Sequence, residues 1–436
     1  MAFDRSVHRA DRSLRRAANS GFGAAMMCSV AAVEFDPLAP EQRESPYAVY
    51  AEARERAPVF YAERFGFWVV TRHEDVLTVL KDGETYSSRD ALTSSPVELP
   101  PEVQAVLDEG WPDMPVLVDT DAPLHTRIRG LVTKAFTPRR VAEMEPTIER
   151  FARELIDAIA ADGRADIVAR FAWPLPLRVI GDMLGAPRED HERLHEWSVH
   201  WLRLKQPGAT LEEQLTWARS TVELQRYFME LLDARDREPD DDLTTALLAA
   251  ASELDPPLPR DAVMGVPLDV VVAGHVTVTR AIGNALVLLL TEPGRAEALR
   301  KDSSLVPPAV EEILRLESPA QGLFRTTTRP VTLGGVELPA GARLMVHYGS
   351  ANRDERVFTC PADYDPCREG LNKHVAFGKG VHFCIGAPLA RLELGIALPM
   401  LLERLPGLRL GDRPLAWEPI FFARGLERLE VVWDPV

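Results

Sequence analysis

The 436-residue chain carries 50 lysine and arginine residues against 66 aspartate and glutamate residues, so its net charge is −16 and its isoelectric point is near 5.2. This acidic balance argues against a general nucleic-acid-binding surface. The four cysteines are too few and too irregularly spaced for a disulfide framework or a CxxC metal site, and they suit a reducing cytoplasm.

The chain opens with an arginine-rich stretch followed by a small apolar run over residues 21–33. The run has the length of the hydrophobic segment of a secretion signal, but it lacks a convincing small-residue cleavage site. It is also too short to cross a bilayer. We therefore expect residues 1–34 to be a disordered or loosely helical extension with no membrane anchor. Because no long Ser/Gly-rich linker divides the rest, residues 35–436 are expected to form a single domain.

Two segments carry polar side chains at a spacing that would place them on one face of a helix. In residues 121–129, His125 and Arg129 are four positions apart, which places both side chains on one side of a helix. Glu312 and Arg315 are three positions apart and can pair on one helix face. Taken alone, either pair could be an ordinary solvated surface pair.

Between these two helices lies a long apolar pattern, residues 262–292, which would form a helix of about 45 Å. Asp269, His275, Arg280 and Asn284 interrupt the pattern too often for a membrane span. The segment is therefore expected to be a buried central helix.

Strand-like patterns are short and scattered, at residues 67–71, 331–336, 344–347 and 429–433. The acidic stretch of residues 236–242 predicts a solvated loop between two helices. The chain is therefore expected to be mainly α, with small β-sheets.

Residues 377–386 read Phe-Gly-Lys-Gly-Val-His-Phe-Cys-Ile-Gly. Gly378, Gly380 and Gly386 can adopt positive φ, which lets backbone amides turn toward one sulfur. The following segment begins a helix with a proline in its first turn, and the helix dipole favours an anion at that end. Cys384 is therefore placed to present a thiolate, although a lone cysteine in a glycine-rich turn would more often be an ordinary buried thiol.

This motif, Phe-Gly-x-Gly-x-His-x-Cys-x-Gly, resembles the haem-ligand loop of the cytochrome P450 family. The Glu-x-x-Arg element at Glu312 supports the resemblance, which extends from about Phe35 to Trp433. It implies the P450 fold, a helical haem-binding prism with small sheets. It also implies haem b with Cys384 as the axial thiolate ligand.

The resemblance assigns further residues to the cofactor. By family position, Glu312, Arg315 and Arg368 hold the cysteine-side scaffold. The residues that would bind the haem, mainly through its propionates, are His125, Arg129, Arg325, His382, Phe377 and Gly378.

The central helix departs from the family pattern at one position. Ala273, Gly274 and Thr277 match the catalytic segment that faces dioxygen, but Val276 stands where a carboxylate normally relays protons. Three interpretations stay open. Protons reach a monooxygenase through water, His275 or the substrate; the enzyme uses peroxide or a substrate N–O or O–O bond; or the protein is a silent haem binder.

The expected activity is oxidation, most simply hydroxylation, of a small, largely apolar molecule of specialised metabolism. Two electrons would come from separate ferredoxin- or flavodoxin-like proteins and a reductase. Pocket residues expected by family position lie in segments 87–118 and 197–204 and in the central helix. The individual pocket residues named are Val276, Leu323, Phe324, Phe421 and Phe422. The sequence does not choose between a terpenoid, polyketide, peptide or aromatic substrate.

Overall fold

The structure, a computed structural model, describes residues 33–93, 99–111, 114–204 and 208–435. The predicted extension, residues 1–34, lies almost entirely outside these ranges. Helices dominate the described residues. In chain order they are α1 Pro40–Glu44, α2 Tyr47–Arg56, α3 His73–Lys81, α4 Pro101–Leu107, α5 Leu124–Ala135, α6 Pro138–Glu143, α7 Glu145–Asp157, α8 Pro174–Leu184, α9 His191–Arg203, α10 Leu211–Arg237, α11 Leu243–Ser252, α12 Arg260–Thr291, α13 Pro293–Lys301, α14 Val306–Leu316, α15 Tyr348–Ala351 and α16 Ala387–Arg404.

The strands are short and form four small sheets. Their bounds are β1 Val59–Ala62, β2 Phe67–Val70, β3 Tyr86–Ser87, β4 Arg164–Asp166, β5 Gly322–Thr327, β6 Val331–Leu333, β7 Val336–Leu338, β8 Arg343–His347, β9 Arg409–Leu410, β10 Ala416–Trp417, β11 Leu426–Arg428 and β12 Glu430–Val432. The largest sheet has the order β1-β2-β8-β5-β3, in which only β2 and β8 run parallel. The others are β4-β12-β9, β6-β7 and β10-β11.

The predicted strand over residues 331–336 is wrong in its extent. The structure breaks it into β6 and β7, an antiparallel pair joined by Gly334 and Gly335. Both glycines have positive φ, 56° and 82°. Two consecutive positive φ values are the signature of a tight hairpin turn, and they reverse the chain where the apolar pattern alone predicts an extended segment.

The long helix α12 is the centre of the fold, as its apolar pattern predicts. It packs on α8, α9, α10 and α16. By length and composition α12 could cross a membrane, but 67% of its most apolar window is buried by the rest of the protein. That burial is typical of the core helix of a globular domain. Pro267 lies within the helix and is buried.

The predicted acidic loop begins after Arg237, where α10 ends, and it stops at Asp242, which caps α11. The Asp242 carboxylate accepts a hydrogen bond from the Thr245 amide at 2.8 Å and pairs with Arg235. Asp242 is buried. The last member of the acidic run therefore stabilises the start of a helix, while its neighbours Asp240 and Asp241 are exposed.

Apolar side chains form one main core around α12 and α16 and a separate aromatic cluster beside the five-stranded sheet. Phe67, Phe324 and Phe421 meet edge to face in this smaller cluster, with ring centroids 5.1 and 6.0 Å from Phe67. This separation matters for the candidate site, because residues of the main core line its cavity, whereas Phe67, Phe324 and Phe421 do not.

Candidate active site

A cavity of about 300 Å³ lies between α12 and the loop of residues 377–386. Its walls are mostly apolar, with contributions from α5, α8, α9, β5 and α16. Ala273, Gly274, Val276 and Thr277 line one side, and Phe377, Gly378, His382 and Cys384 line the other.

The loop before α16 has the backbone that the glycine pattern predicts at two of its three positions. Gly378 and Gly380 have φ of 67° and 74°. A Cβ on Gly380 would lie 2.3 Å from the Leu80 carbonyl oxygen, so only glycine fits there. The expectation for Gly386 is wrong: its φ is −79°, because it already has helical angles as the N-cap of α16.

Cys384 lines the cavity, and the surface that it exposes faces the cavity. Its backbone amide donates to the Phe377 carbonyl oxygen at 2.9 Å. Burial raises the pKa of the thiol, while amides of Gly386 and Ala387 that hydrogen-bond to the sulfur lower it in part. A bound metal cation would complete the stabilisation of the thiolate. Of the other cysteines in the described ranges, Cys360 and Cys367 are exposed and outside the cavity lining.

Four hydrogen-bond donors converge at one edge of the cavity. Arg129, Arg325 and His382 line it, and the ring of His125 lies 4.0 Å from the ring of His382. His125 is buried and its Nε2 has no hydrogen-bond partner. Burial, together with Arg325, His125 and Arg129, lowers the pKa of His382 to about 3.

Within the described ranges, no ion pair joins Arg129 or Arg325 to a carboxylate. Two arginines and two histidines thus share a partly buried edge where Asp121 acts on His125 but neither arginine pairs with a carboxylate of the described residues. An orphan buried nitrogen and uncompensated positive charge are what a dianionic group would satisfy. The arrangement fits a haem whose two propionates point to this edge.

On the opposite wall, Ala273, Gly274 and Thr277 lie together on α12. The Thr277 hydroxyl donates to the Ala273 carbonyl oxygen at 2.8 Å. A Cβ on Gly274 would approach Ile180 to 2.9 Å, so glycine here allows α8 to pack closely. Val276 lines the cavity at 7% exposure, so the position that lacks the acid faces the site.

His275 points away from the cavity into the core. Its Nδ1 donates to the Val271 carbonyl oxygen at 2.6 Å, and its Nε2 accepts from Nδ1 of His195 at 3.2 Å. Complete burial and His195 lower the pKa of His275 to about 3. A neutral imidazole with both nitrogens engaged, and outside the cavity lining, is a poor proton source for the site.

The Glu-x-x-Arg pair lies buried behind the ligand loop. Glu312 accepts from Nε and Nη2 of Arg315, both at 2.7 Å, from Nε of Arg368 at 3.2 Å and from the Asp365 amide at 3.0 Å. Arg315 also donates to the carbonyl oxygens of Asn352 and Pro361. Glu312 and Arg315 are 0% exposed. The structure thus brings together the three residues that sequence reasoning grouped.

Two of the predicted pocket residues do not line the cavity. Leu323 and Phe422 line the cavity, but Phe324 and Phe421 belong to the aromatic cluster around Phe67. Neighbouring residues of a strand point to opposite faces, so only one of Leu323 and Phe324 can face the site. The predicted segments 87–118 and 197–204 contribute Leu92, Leu117, Val118, Trp201 and Leu202 to the lining.

Sequence reasoning missed two acidic residues that line the cavity, Asp269 and Glu393. Asp269 precedes Ala273 and Thr277 at steps of four, so its position on the same face of α12 was available from the sequence. Glu393 follows Cys384 by nine positions between two leucines, and no spacing rule singles it out.

Comparison with known proteins agrees with the fold. The family model for cytochrome P450 matches residues 221–406. Cytochrome P450 107B1 of Saccharopolyspora erythraea is 40% identical over 84% of this chain and 88% of its own length. The mycinamicin IV hydroxylase/epoxidase of Micromonospora griseorubida is 38% identical over 88% of this chain and 94% of its own. Cytochrome P450 CYP109Q5 from Chondromyces apiculatus, a solved structure, superposes with a TM-score of 0.82 at 38% identity, covering 92% and 98% of the two chains.

The fold and site are those of a haem-binding oxidoreductase, with a cysteine-loop helix opposite a long central helix. The chain belongs to the cytochrome P450 family. It has the P450 fold, and its cofactor is haem with a cysteine thiolate ligand. The resemblance drawn from the loop motif is confirmed.

Proposed function

We propose that this protein is a monooxygenase that hydroxylates or otherwise oxidises a small, largely apolar molecule of specialised metabolism. The observation that carries the proposal is the cavity, which sets Cys384 and the donor cluster opposite Thr277 and Gly274 within mostly apolar walls. The name of the mycinamicin IV hydroxylase/epoxidase supports both the reaction and the type of metabolism. We also propose residues 35–436 as one cytoplasmic catalytic domain preceded by an extension.

Each part of the cavity has a proposed task. Cys384 would hold the haem iron, Phe377 and Gly378 would lie against the ring, and His125, Arg129, Arg325 and His382 would hold the propionates. When bound, the haem supplies the oxidising chemistry, in which substrate RH, dioxygen, two electrons and two protons give ROH and water. The electrons would come from separate ferredoxin- or flavodoxin-like proteins through a reductase.

The chain's own residues would bind the substrate and pass protons within the cavity. Leu323, Phe422 and the apolar side of α12 would bind substrate and exclude bulk water. The Thr277 hydroxyl keeps lone pairs free while it donates to Ala273, so it can accept a hydrogen bond from a cavity water. A water bound in this way can pass a proton to the α12 side of the cavity.

Replacing Arg129 with alanine tests the proposed propionate edge. Loss of one charge-assisted hydrogen bond costs about 1.5–3 kcal/mol, so haem should leave the variant about tenfold faster or more. The measurement is the rate of haem transfer to apomyoglobin, followed by absorbance. Lys134→Ala removes an exposed cation from the same helix and should leave the rate unchanged. An Arg129→Ala variant that retains haem like the parent would speak against this edge.

A second activity, oxidation driven by peroxide or by a substrate N–O or O–O bond, has one specific observation in its favour. Val276 faces the cavity where an acid would be needed, and His275 is turned away from it. Peroxide brings both oxygen and protons, so it needs no relay. Parallel assays with reductase plus dioxygen and with peroxide separate the two. Product from peroxide alone would favour this second activity.

Replacing Val276 with glutamate tests whether proton supply limits turnover. A positioned general acid accelerates reactions by about 10²–10⁴-fold, and because some route already exists we expect a smaller gain, about tenfold, in dioxygen-driven product formation. Peroxide-driven turnover should stay as it is. Val276→Gln is the matched control, because glutamine has nearly the same size as glutamate but no acidic group. No gain over the glutamine variant would mean that the proton route lies elsewhere.

A further inference from the structure

A pair of histidines joins α9 to α12 beside the cavity. Nδ1 of His195, on α9, lies 3.2 Å from Nε2 of His275, on α12. The ring of His195 also stacks on Trp173, with ring centroids 4.3 Å apart and ring planes 13° apart. His275 is completely buried and His195 is half-buried. The side chain of His195 is therefore held both by α12 and by the residue that directly precedes α8.

The hydrogen bonds of His275 are compatible with a single protonation state. Its Nδ1 lies 2.6 Å from the Val271 carbonyl oxygen, which can only accept, so the ring carries its proton on Nδ1. Nε2 is then the acceptor for the N–H group of His195. A second proton, on Nε2, would set two N–H groups against each other. The bond between α9 and α12 therefore exists only while His275 is neutral.

This bond ties two walls of the cavity to each other. Leu202 follows His195 by seven positions, which returns to the same face of α9, and both Leu202 and Trp201 line the cavity. On α12, His275 directly precedes Val276, which lines the cavity from the other side. The two helices pack on each other. A change in the distance between them would therefore change the shape of the cavity.

The surroundings of the pair keep both rings neutral. Burial lowers the pKa of His195 to about 4. Burial and His195 lower the pKa of His275 to about 3, and Arg280 acts in the same direction against a hydrogen bond to Val271. No other charged side chain of the described residues acts on either ring. Because a hydrated imidazole has a pKa of about 6.5, a proton binds far better once the pair has come apart.

We propose that His195 is a positioning residue of the active site: its bond to neutral His275 holds α9 on α12, and a proton on His275 releases α9 and widens the cavity. The inference rests on the proposed function only in taking this cavity as the active site. The bonded pair of the structure is the closed form. Below about pH 6.5 each histidine favours the open form by up to about tenfold per pH unit, and above it the balance does not depend on pH.

The first test follows a bulky, uncharged ligand into the haem-loaded protein. Cyclohexyl isocyanide binds ferrous haem and has no ionisable group, and stopped-flow absorbance gives its binding rate. Between about pH 7.5 and about pH 5.5, the rate in the parent protein should rise about tenfold to hundredfold, as one or both histidines gain a proton in the open form. Carbon monoxide is the control, because a diatomic ligand needs no widening and should bind with little dependence on pH.

Two substitutions of His195 separate the hydrogen bond from the charge. His195→Phe keeps an aromatic ring against Trp173 but removes the donor to His275, so isocyanide should bind about twofold to tenfold faster at about pH 7.5. His195→Asn keeps a donor N–H group and should restore the parent rate at that pH. Its rate should rise less on acidification, because only His275 still titrates. Glu196→Gln changes the adjacent, exposed residue of α9 and should match the parent at every pH.

Each other outcome contradicts the inference. Isocyanide binding that does not depend on pH would show that the pair does not control the cavity. A rise that is as steep in both His195 variants as in the parent would assign it to another group, and an equal rise for carbon monoxide would assign it to the haem. None of these measurements needs turnover. A protein that forms no product with dioxygen, yet binds isocyanide as expected, would overturn the proposed function alone.

Discussion

Replacing Cys384 with alanine is expected to abolish the thiolate-type Soret band in the reduced carbon monoxide difference spectrum and to remove dioxygen-dependent turnover. The sulfur is the soft ligand that faces the cavity, and no other cysteine of the described ranges lines it. Alanine leaves the loop backbone intact but offers no ligand. A haem bound by this variant would lack the thiolate donation that supports its oxidising chemistry.

The control for this change is Cys360→Ala, which removes an exposed thiol outside the cavity. It should keep the full band. Because the Cys384 variant could also lose haem, its haem content should be measured on the same sample. A thiolate-type band that survives in Cys384→Ala would contradict the assigned ligand, and with it the proposed site.

Replacing Glu312 with glutamine is expected to have the largest effect on stability. The carboxylate accepts from Arg315 through both oxygens and from Arg368 and the Asp365 amide, with no exposure to solvent. Glutamine keeps one acceptor oxygen and turns an NH₂ group toward arginine donors. Breaking a buried pair in this way costs about 3–5 kcal/mol, a large part of the total stability of a typical domain.

The measurement is the urea midpoint of unfolding together with the yield of haem-loaded protein. Glu230→Gln, an exposed change on helix α10, is the control and should shift the midpoint little. A Glu312→Gln variant as stable as the control would mean that the buried triad does not support the cysteine-side scaffold.

The elements that the sequence predicts well are those with a strong local pattern. The apolar run at 262–292 becomes α12, Arg260–Thr291, because a long core helix is apolar on nearly all sides. The Glu312 and Arg315 pair follows from helical spacing. The ligand loop follows from its glycines, of which Gly380 has no room for a side chain.

The misplaced residues share a physical cause, which is that local pattern does not determine which face of a short element is buried against which core. Phe324 and Phe421 are aromatic, as pocket residues often are, but both pack in the other cluster; Phe324 lies there because its side chain points to the opposite face of β5 from Leu323. Gly386 lacks positive φ because the helix has already begun. Glu393 could not be found from the sequence, because its place in the cavity wall depends on how α16 packs in three dimensions.

The measurement that tests the central claim most directly is the isotopic content of product formed under labelled dioxygen. The purified holoenzyme would be supplied with a surrogate ferredoxin and reductase and a panel of terpenoid, polyketide and aromatic candidates. The proposed function predicts one labelled oxygen atom in the oxidised product. Product that carries no label, or product that forms only when peroxide replaces dioxygen and reductase, would contradict it.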